Sequence, residues 1–136
     1  GSEMCIRDRS YEERKMIDET RKILGDQSIE IVATAVRVPV FRCHAEAVYV
    51  EFESPVEVDR ARDALRDADG VKLIEDRSTP SHPMPIMCEG KDATFVGRLR
   101  RHPEHDNGLC MWVVSDNLRK GAALNAVQIG ELLLRG

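Results

Sequence analysis

The sequence predicts a mixed α+β fold, in which a largely antiparallel sheet carries helices on one face. Apolar residues recur at helical spacing in three separate segments. Between these segments lie stretches rich in Val, Ile and Ala, with either alternating or nearly continuous apolar character. The predicted order of elements is therefore α-β-β-α-β-β-β-α, which is typical of a mixed α+β domain.

Length and composition limit the classes of protein that this chain can represent. Its 136 residues are enough for one ordinary domain, and 42% apolar with 32% charged residues is typical of globular proteins. The net charge of -4 argues against a nucleic-acid or membrane surface as the main function. Because no apolar run is long enough to span a bilayer and no signal peptide is visible, we expect a cytoplasmic protein. The four cysteines lack paired spacing, so we predict neither a disulfide framework nor a metal site.

Residues 1–9 show no pattern that continues into the rest of the chain. We interpret them as an artificial, non-native leader and exclude them from the fold prediction. The native sequence is expected to begin near Ser10, with residues 10–136 forming one domain.

The first predicted helix begins at a capping box, in which Ser10 caps the helix and Glu13 reaches back to the cap residue. Gly25 ends the apolar periodicity after about four turns. Glu12 and Lys15 are three residues apart and therefore lie on the same side of this helix. From spacing alone, an exposed ion pair is the commoner role for two such residues.

A long strand is predicted over Glu30–Val40, which is rich in β-branched residues. It carries Arg37, a permanent cation, and seven residues later comes His44, a side chain suited to proton transfer near neutral pH. Side chains seven apart on an unbroken strand point to opposite faces, so a shared site requires a break, for which Pro39 is suited. The pair would suit an anionic substrate, although spacing alone favours a surface arginine and a loop histidine.

A second strand, Ala47–Glu53, alternates in polarity and is predicted to be half-buried. The next helix is expected to start at Ser54 and Pro55 and to end at Gly70, before a short strand at Val71–Ile74. Its charged residues are expected on the solvent side; they are Asp59, Arg60, Arg62, Asp63, Arg66 and Asp67.

The segment Glu75–Asp92 contains three prolines and little periodicity. A structureless segment of this length is usually functional or packed against a partner. Because Met84, Ile86 and Met87 provide apolar side chains to bury, we predict that it forms an interface.

Two further strands, Ala93–Arg100 and Leu109–Ser115, are joined by a polar turn. The second is apolar almost throughout, as expected of a strand that is covered on both faces. Ser115 and Asp116 can then cap the last helix. Asn117 lies at this junction, where backbone donors are available to a ligand, although an asparagine there is more often a cap.

Four separated blocks of the sequence carry a resemblance to a known family. They are Tyr11–Met16 with Glu19–Leu24, Val36–Val40 with His44, Val96–Arg100, and Ser115–Asn125 with Gln128 and Ile129. In this order they resemble the C-terminal half of aspartate-β-semialdehyde dehydrogenase, over a region that runs from about Ser10 to the end of the chain. The resemblance implies a fold similar to the C-terminal domain of glyceraldehyde-3-phosphate dehydrogenase-like enzymes.

The resemblance also implies a function. Enzymes of this family interconvert L-4-aspartyl phosphate and L-aspartate 4-semialdehyde with NADP, in the biosynthesis of lysine, methionine and threonine. By the family pattern His44 is the general acid/base, and Arg37 binds the substrate carboxylate. Glu12 would hold the substrate amino group, Lys15 the phosphate, and Asn117 would contact the cofactor. A homodimer that buries the loop Pro80–Met87 is implied as well.

The sequence also departs from the family pattern. The family's nucleophilic cysteine and its glycine-rich dinucleotide fingerprint belong to the N-terminal half, which binds most of the NADP, and neither occurs here, so we expect this fragment alone to be inactive. Cys43 is expected to be a small buried thiol and not a substitute nucleophile. Relatives commonly have Gly-His-Ser-Glu where this chain has Cys43–Glu46, and a tryptophan is frequent at the position of Arg14.

Two alternatives share parts of this pattern. The first is a non-catalytic dimerisation module of a paralogue, and the second is an N-acetyl-glutamyl-phosphate reductase-like enzyme. An interface module needs none of four residues that the chain retains, namely Glu12, Lys15, Arg37 and His44. The block around Asn117 and the pair Glu12 and Lys15 fit the reductase less well.

Overall fold

The structure of the protein is a computed structural model that describes residues 10–75 and 81–135. The predicted leader, residues 1–9, lies outside the described residues, and so does Pro80. The chain divides into two compact units, Gly1–Pro39 and Val40–Gly136. Within the described ranges, no helix is both long and apolar enough to cross a membrane.

The first unit contains helix α1, Tyr11–Leu24, which begins and ends where the sequence predicts. The Ser10 hydroxyl accepts from the backbone N–H of Glu13 at 3.3 Å, and the Glu13 carboxylate accepts from the backbone N–H of Ser10 at 2.7 Å. Gly25 follows with φ of 68°, a left-handed conformation that glycine adopts without a steric penalty. The capping box and the terminal glycine are therefore both confirmed.

The strand predicted over Glu30–Val40 is not formed, and that prediction was wrong. Two hydrogen bonds, and not a ladder, tie this segment and the residue before it to α1: Arg21 Nε donates to the carbonyl of Ile29 at 2.9 Å, and the backbone N–H of Ala35 donates to Glu13 Oε1 at 2.8 Å. β-branched residues favour an extended backbone, but a strand also needs a paired neighbour. Within the described residues, this segment has no such neighbour.

The second unit is built on a four-stranded sheet. Its strands are β1 His44–Glu51, β2 Val71–Ile74, β3 Thr94–Arg101 and β4 Gly108–Ser115. Their spatial order is β1-β4-β3-β2, with antiparallel pairing except between β2 and β3. The predicted mixed α+β class with a largely antiparallel sheet is thus confirmed. The apolar strand β4 lies between two neighbouring strands, and its residues Cys110–Val113 are only partly buried.

The helices of the second unit are α2 Val58–Asp67, the short α3 Pro85–Cys88 and α4 Leu124–Arg135, which continues from a π-helical turn at Arg119–Ala123. The start predicted at Pro55 was wrong by one turn. The chain there is held by the turn between β3 and β4, because the backbone N–H of Val56 donates to the carbonyl of Asp106 at 3.4 Å. Helix α2 begins only after this contact, at Val58.

One charged residue of α2 is not on the solvent side, contrary to the prediction. Arg62 is only 8% exposed, and its guanidinium pairs with Asp59 on the same helix and with Glu75 after β2. A buried guanidinium needs such partners, because desolvation of an unpaired charge is costly.

The segment before α3 packs tightly on the sheet. Pro83 is fully buried, and its carbonyl accepts from Trp112 Nε1 at 2.9 Å. A Cβ at Gly97, the residue of β3 paired with Trp112, would lie 2.5 Å from Pro83 Cδ, so only glycine permits this approach. Cys88, the last residue of α3, belongs to a small core that also contains Cys43, Phe95 and Val114.

Candidate active site

Two of the residues with predicted roles lie on α1. Glu12 and Lys15 are exposed and three residues apart, which places them on the same side of the helix near its N-terminal end. Lys15 Nζ lies 3.9 Å from the Glu19 carboxylate, so the ion pair that forms is the i,i+4 pair and not one with Glu12. Long exposed pairs of this kind contribute little to stability, so the charges of Glu12 and Lys15 are both available to a ligand.

Arg37 lies in the extended segment of the same unit and is exposed. It lies two residues after Ala35, whose backbone N–H donates to the carboxylate of Glu13. The structure therefore brings the segment that carries Arg37 beside the first turns of α1. The carboxylate of Glu12 would complement an ammonium group, and the cations of Lys15 and Arg37 would complement two anionic groups.

In the second unit His44 is the first residue of β1 and is exposed. It pairs in register with Ser115, the last residue of β4. The expectation of a loop histidine was thus wrong, because the strand begins three residues earlier than predicted. Because no strand forms over residues 30–40, the predicted break of that strand does not arise; the chain bends at Pro39, and the residue before His44, Cys43, is left-handed with φ of 76°.

Cys43 is held in this conformation by two hydrogen bonds. Its backbone N–H donates to Asn117 Oδ1 at 2.9 Å, and its thiol donates to the carbonyl of Pro85 at 3.4 Å. A left-handed conformation costs about 1–2 kcal/mol for a residue with a Cβ. The side chain is only 7% exposed, and burial raises the pKa of the thiol. The prediction of a small buried thiol is confirmed.

Asp116 makes buried hydrogen bonds in this region, and the sequence does not predict all of them. It is fully buried, and its carboxylate accepts from the backbone N–H of Leu118 at 2.9 Å, just before the π-helical turn that starts at Arg119. It also accepts from the backbone N–H of Gly90 at 2.8 Å, a contact that no local sequence pattern predicts. The Gly90 amide, with help from Leu118 and the Arg42 charge, holds the pKa of Asp116 below its usual range against the opposing effect of burial.

Asn117 is half-buried and uses only its carboxamide oxygen in the contact with Cys43. Within residues 10–75 and 81–135, its Nδ2 makes no hydrogen bond. The free N–H groups of a carboxamide suit a carbonyl or phosphate oxygen of a dinucleotide. The residue therefore fits the cofactor contact that the sequence resemblance implies.

Other kinds of site have less support. Among the described residues, no group of three or more His, Cys, Asp or Glu side chains is arranged to hold a metal ion. The described cysteines, Cys43, Cys88 and Cys110, are free thiols. An open depression is lined by Lys72, Lys91 and Gln128 among others, and none of the residues with predicted roles lines it.

Comparison with known proteins gives a consistent result. Residues 5–120 match the family described as semialdehyde dehydrogenase, dimerisation domain. The chain is 51% identical over 124 residues to aspartate-semialdehyde dehydrogenase of Aquifex aeolicus, and 53% identical over 123 residues to the protein of that name from Synechocystis. These alignments cover 91% and 90% of this chain, but only 36% of each relative.

Solved structures show the same likeness. The crystal structure of aspartate semialdehyde dehydrogenase II from Vibrio cholerae complexed with ASA superposes with a TM-score of 0.86 at 47% identity, over 93% of this chain and 37% of that chain. A probable aspartate-semialdehyde dehydrogenase from Pseudomonas aeruginosa gives 0.84 at 32% identity, with the same coverage. The chain thus spans little more than a third of the proteins that it matches.

Proposed function

This chain belongs to the semialdehyde dehydrogenase dimerisation-domain family, and we propose that it is the C-terminal part of an NADP-dependent aspartate-semialdehyde dehydrogenase. The family resemblance predicted from the sequence is confirmed. The observation that carries the proposed activity is the identity of 51% and 53% to relatives that bear this enzyme's name. The reaction interconverts L-4-aspartyl phosphate and L-aspartate 4-semialdehyde, which serves lysine, methionine and threonine biosynthesis.

Substrate binding is assigned to the exposed charges of the first unit. Arg37 binds the α-carboxylate of the substrate through two parallel hydrogen bonds from its planar guanidinium, and Glu12 binds the ammonium group of the substrate. Lys15 supplies a compact positive charge for the phosphate. The hydrogen bond between Ala35 and Glu13 supports this assignment, because it fixes the segment that carries Arg37 against the helix that carries the other two residues.

Proton transfer is assigned to His44. During oxidation of the semialdehyde, the thiohemiacetal hydroxyl formed with the enzyme's cysteine must lose a proton, and an imidazole is the side chain best matched to that task near neutral pH. The exposed position of His44 at the start of β1 supports this role. The nucleophilic cysteine belongs to the other half of the enzyme by the family pattern, so this chain alone is expected to be inactive.

NADP, when bound, accepts the hydride that leaves the substrate carbon. Most of its binding is assigned to the nucleotide-binding half of the longer protein. Asn117 is the residue of this chain proposed to contact it, through the carboxamide N–H groups that remain free of hydrogen bonds in the described part of the chain.

A homodimer is proposed as the working assembly. Met84, Ile86 and Met87 are 41%, 82% and 45% exposed, although all three are apolar and lie in or next to α3. Such a cluster supports an interface at this segment. Replacing Ile86 by Glu should convert the dimer to monomers in sedimentation, whereas Ile23→Glu on α1, where the side chain is 80% exposed, should not. Dimers that survive Ile86→Glu would contradict the proposed interface.

The remaining assignments follow from the proposed enzyme. The protein is proposed to work in the cytoplasm, where its substrates are made and used. Residues 1–9 stay a predicted artificial leader, and residues 10–136 a predicted dimerisation and substrate domain.

The proposed activity is tested on the longer protein that contains this chain. Aspartate semialdehyde should support phosphate-dependent reduction of NADP, measured by absorbance, and N-acetylglutamate semialdehyde should not. Arg37→Lys should raise the KM for the semialdehyde by about 10-fold or more, because a lysine cannot form the two parallel hydrogen bonds. Arg60→Lys, a change at another exposed arginine, serves as the control. Preference for the acetylated substrate would overturn the proposal in favour of the reductase.

A further inference from the structure

The geometry points to Asn117 as a positioning residue that aims His44, acting through the backbone of Cys43. This inference rests on the proposed function, because it concerns the general acid/base of that reaction. It assigns to the carboxamide oxygen of Asn117 a task that is separate from any cofactor contact made by its nitrogen.

The first step of the argument is the position of Cys43 in the chain. It immediately precedes His44, so its φ and ψ angles set the direction from which the chain enters β1. Its φ of 76° is unfavourable for a residue with a Cβ, and in isolation the backbone would relax towards a negative φ. The hydrogen bond from the backbone N–H of Cys43 to Asn117 Oδ1, at 2.9 Å, opposes that relaxation.

The second step is that Asn117 is itself held in place. The preceding residue, Asp116, is fully buried and binds the backbone N–H groups of Gly90 and Leu118. The residue before that, Ser115, is the ladder partner of His44. Cys43 and His44 are thus both tied to the stretch Ser115–Asn117, which contains the last residue of β4 and the two residues after it: Cys43 through the side chain of Asn117, and His44 through the ladder to Ser115.

The third step is a second contact on Cys43. Its thiol donates to the carbonyl of Pro85, the first residue of α3, at 3.4 Å. Because burial raises the pKa of this thiol, it stays protonated and remains a donor at neutral pH. The backbone N–H and the side chain of Cys43 are therefore held by different elements, and the residue has little freedom to turn.

A general base must be placed to within a fraction of an ångström to transfer a proton efficiently. His44 is exposed, so packing around the imidazole contributes little to its placement. Within this chain, its direction then depends on its backbone, which is held by the ladder to Ser115 and by the preceding residue, Cys43. Loss of the Asn117 oxygen should lower the rate of the chemical step even when substrate and cofactor are saturating.

Two substitutions at Asn117 separate the proposed tasks. Asn117→Asp retains an oxygen acceptor for Cys43 but loses the N–H donors, whereas Asn117→Ala loses both. Asn107→Ala is the matched control, because Asn107 also binds a backbone group, the carbonyl of Phe52 at 2.7 Å, but lies before the first residue of β4. Exchange of the Cys43 amide hydrogen, kcat and the KM for NADP are all measured on the longer enzyme that contains this chain.

The proposal expects Asn117→Ala to speed exchange of the Cys43 amide and to lower kcat, each by about 10-fold or more. Asn117→Asp should restore most of the protection and most of kcat, while the KM for NADP stays raised in both variants. Asn107→Ala should change none of the three.

Equal kcat values for the Asp and Ala variants, or Cys43 exchange that is the same in both variants and the unaltered chain, would overturn the inference. An unaltered longer enzyme without activity on aspartate semialdehyde would instead overturn the proposed function, together with the catalytic meaning of this inference. The two failures are therefore distinguishable.

Discussion

The two ends of the ladder between β1 and β4 are held together in different ways. At one end His44 faces Ser115, and the neighbouring polar groups, Asp116 and Cys43, are buried. At the other end Glu51 faces Gly108, and the contacts nearby are exposed. There Arg101 pairs at 3.2 Å with both Glu57 and Asp106, whose side chains are 76% and 80% exposed.

This difference indicates which end of the ladder depends on one particular arrangement of hydrogen bonds. A buried acceptor whose donors are lost leaves those donors unsatisfied, whereas exposed groups exchange their partners for water at little cost. The end that carries His44 is therefore expected to be rigid and sensitive to substitution, and the end at the turn between β3 and β4 is expected to tolerate change.

The largest effect is expected from Asp116→Ala. The substitution leaves the backbone N–H groups of Gly90 and Leu118 without their buried acceptor, and should lower Tm by about 10 °C. Asp106→Ala, at the exposed end, should lower it by no more than about 2 °C. Thermal unfolding followed by circular dichroism measures both, and equal losses would remove the contrast between the two ends.

A pH titration sharpens the same contrast. The pKa of Asp116 is lowered in the folded protein, chiefly by the Gly90 amide, so its ionised form stabilises the fold above the ordinary aspartate pKa of about 4. That contribution is lost as the pH falls through the lower folded pKa. The stability advantage of the unaltered chain over Asp116→Asn should be full near neutral pH and should shrink below about pH 4. An advantage that stays constant down to about pH 2 would show that ionisation of Asp116 is not involved.

A smaller effect tests the left-handed backbone at Cys43. Cys43→Gly and Cys43→Ala both remove the thiol, but only alanine retains the steric penalty of φ at 76°. The glycine variant should therefore be more stable by about 1 kcal/mol in urea unfolding. At Ala47 in β1, where the backbone is ordinary, the change from Ala to Gly should destabilise by about 0.5–1 kcal/mol. If alanine is the better residue at position 43, the left-handed conformation is wrong.

Local patterns predicted those elements whose ends are fixed by local chemistry. The bounds of α1 follow from the capping box at Ser10 and Glu13 and from Gly25, all visible in the sequence. The strand β2 was predicted with its observed bounds, and β3 and β4 begin within one residue of the prediction.

Predictions failed where a distant contact decides the structure. The strand expected over Glu30–Val40 needed a partner that β-propensity does not supply. Helix α2 starts late because Val56 is engaged by the distant Asp106. The contact between Asn117 and Cys43 joins residues 74 positions apart, so no local spacing could reveal it. The roles proposed for the charged residues came from family resemblance, since spacing alone favoured ordinary surface positions.

The most direct test of the account compares two exposed histidines in the longer enzyme. His44 begins β1 beside the end of β4, whereas His105 lies in the turn that precedes β4. His44→Ala should lower kcat/KM for phosphate-dependent oxidation of aspartate semialdehyde by about 100-fold or more, the usual contribution of a general acid/base. His105→Ala should leave kcat/KM within about 2-fold, as expected for an exposed residue remote from proton transfer. Full activity of a folded His44→Ala enzyme would contradict the assignment of this end of the sheet as the reacting end.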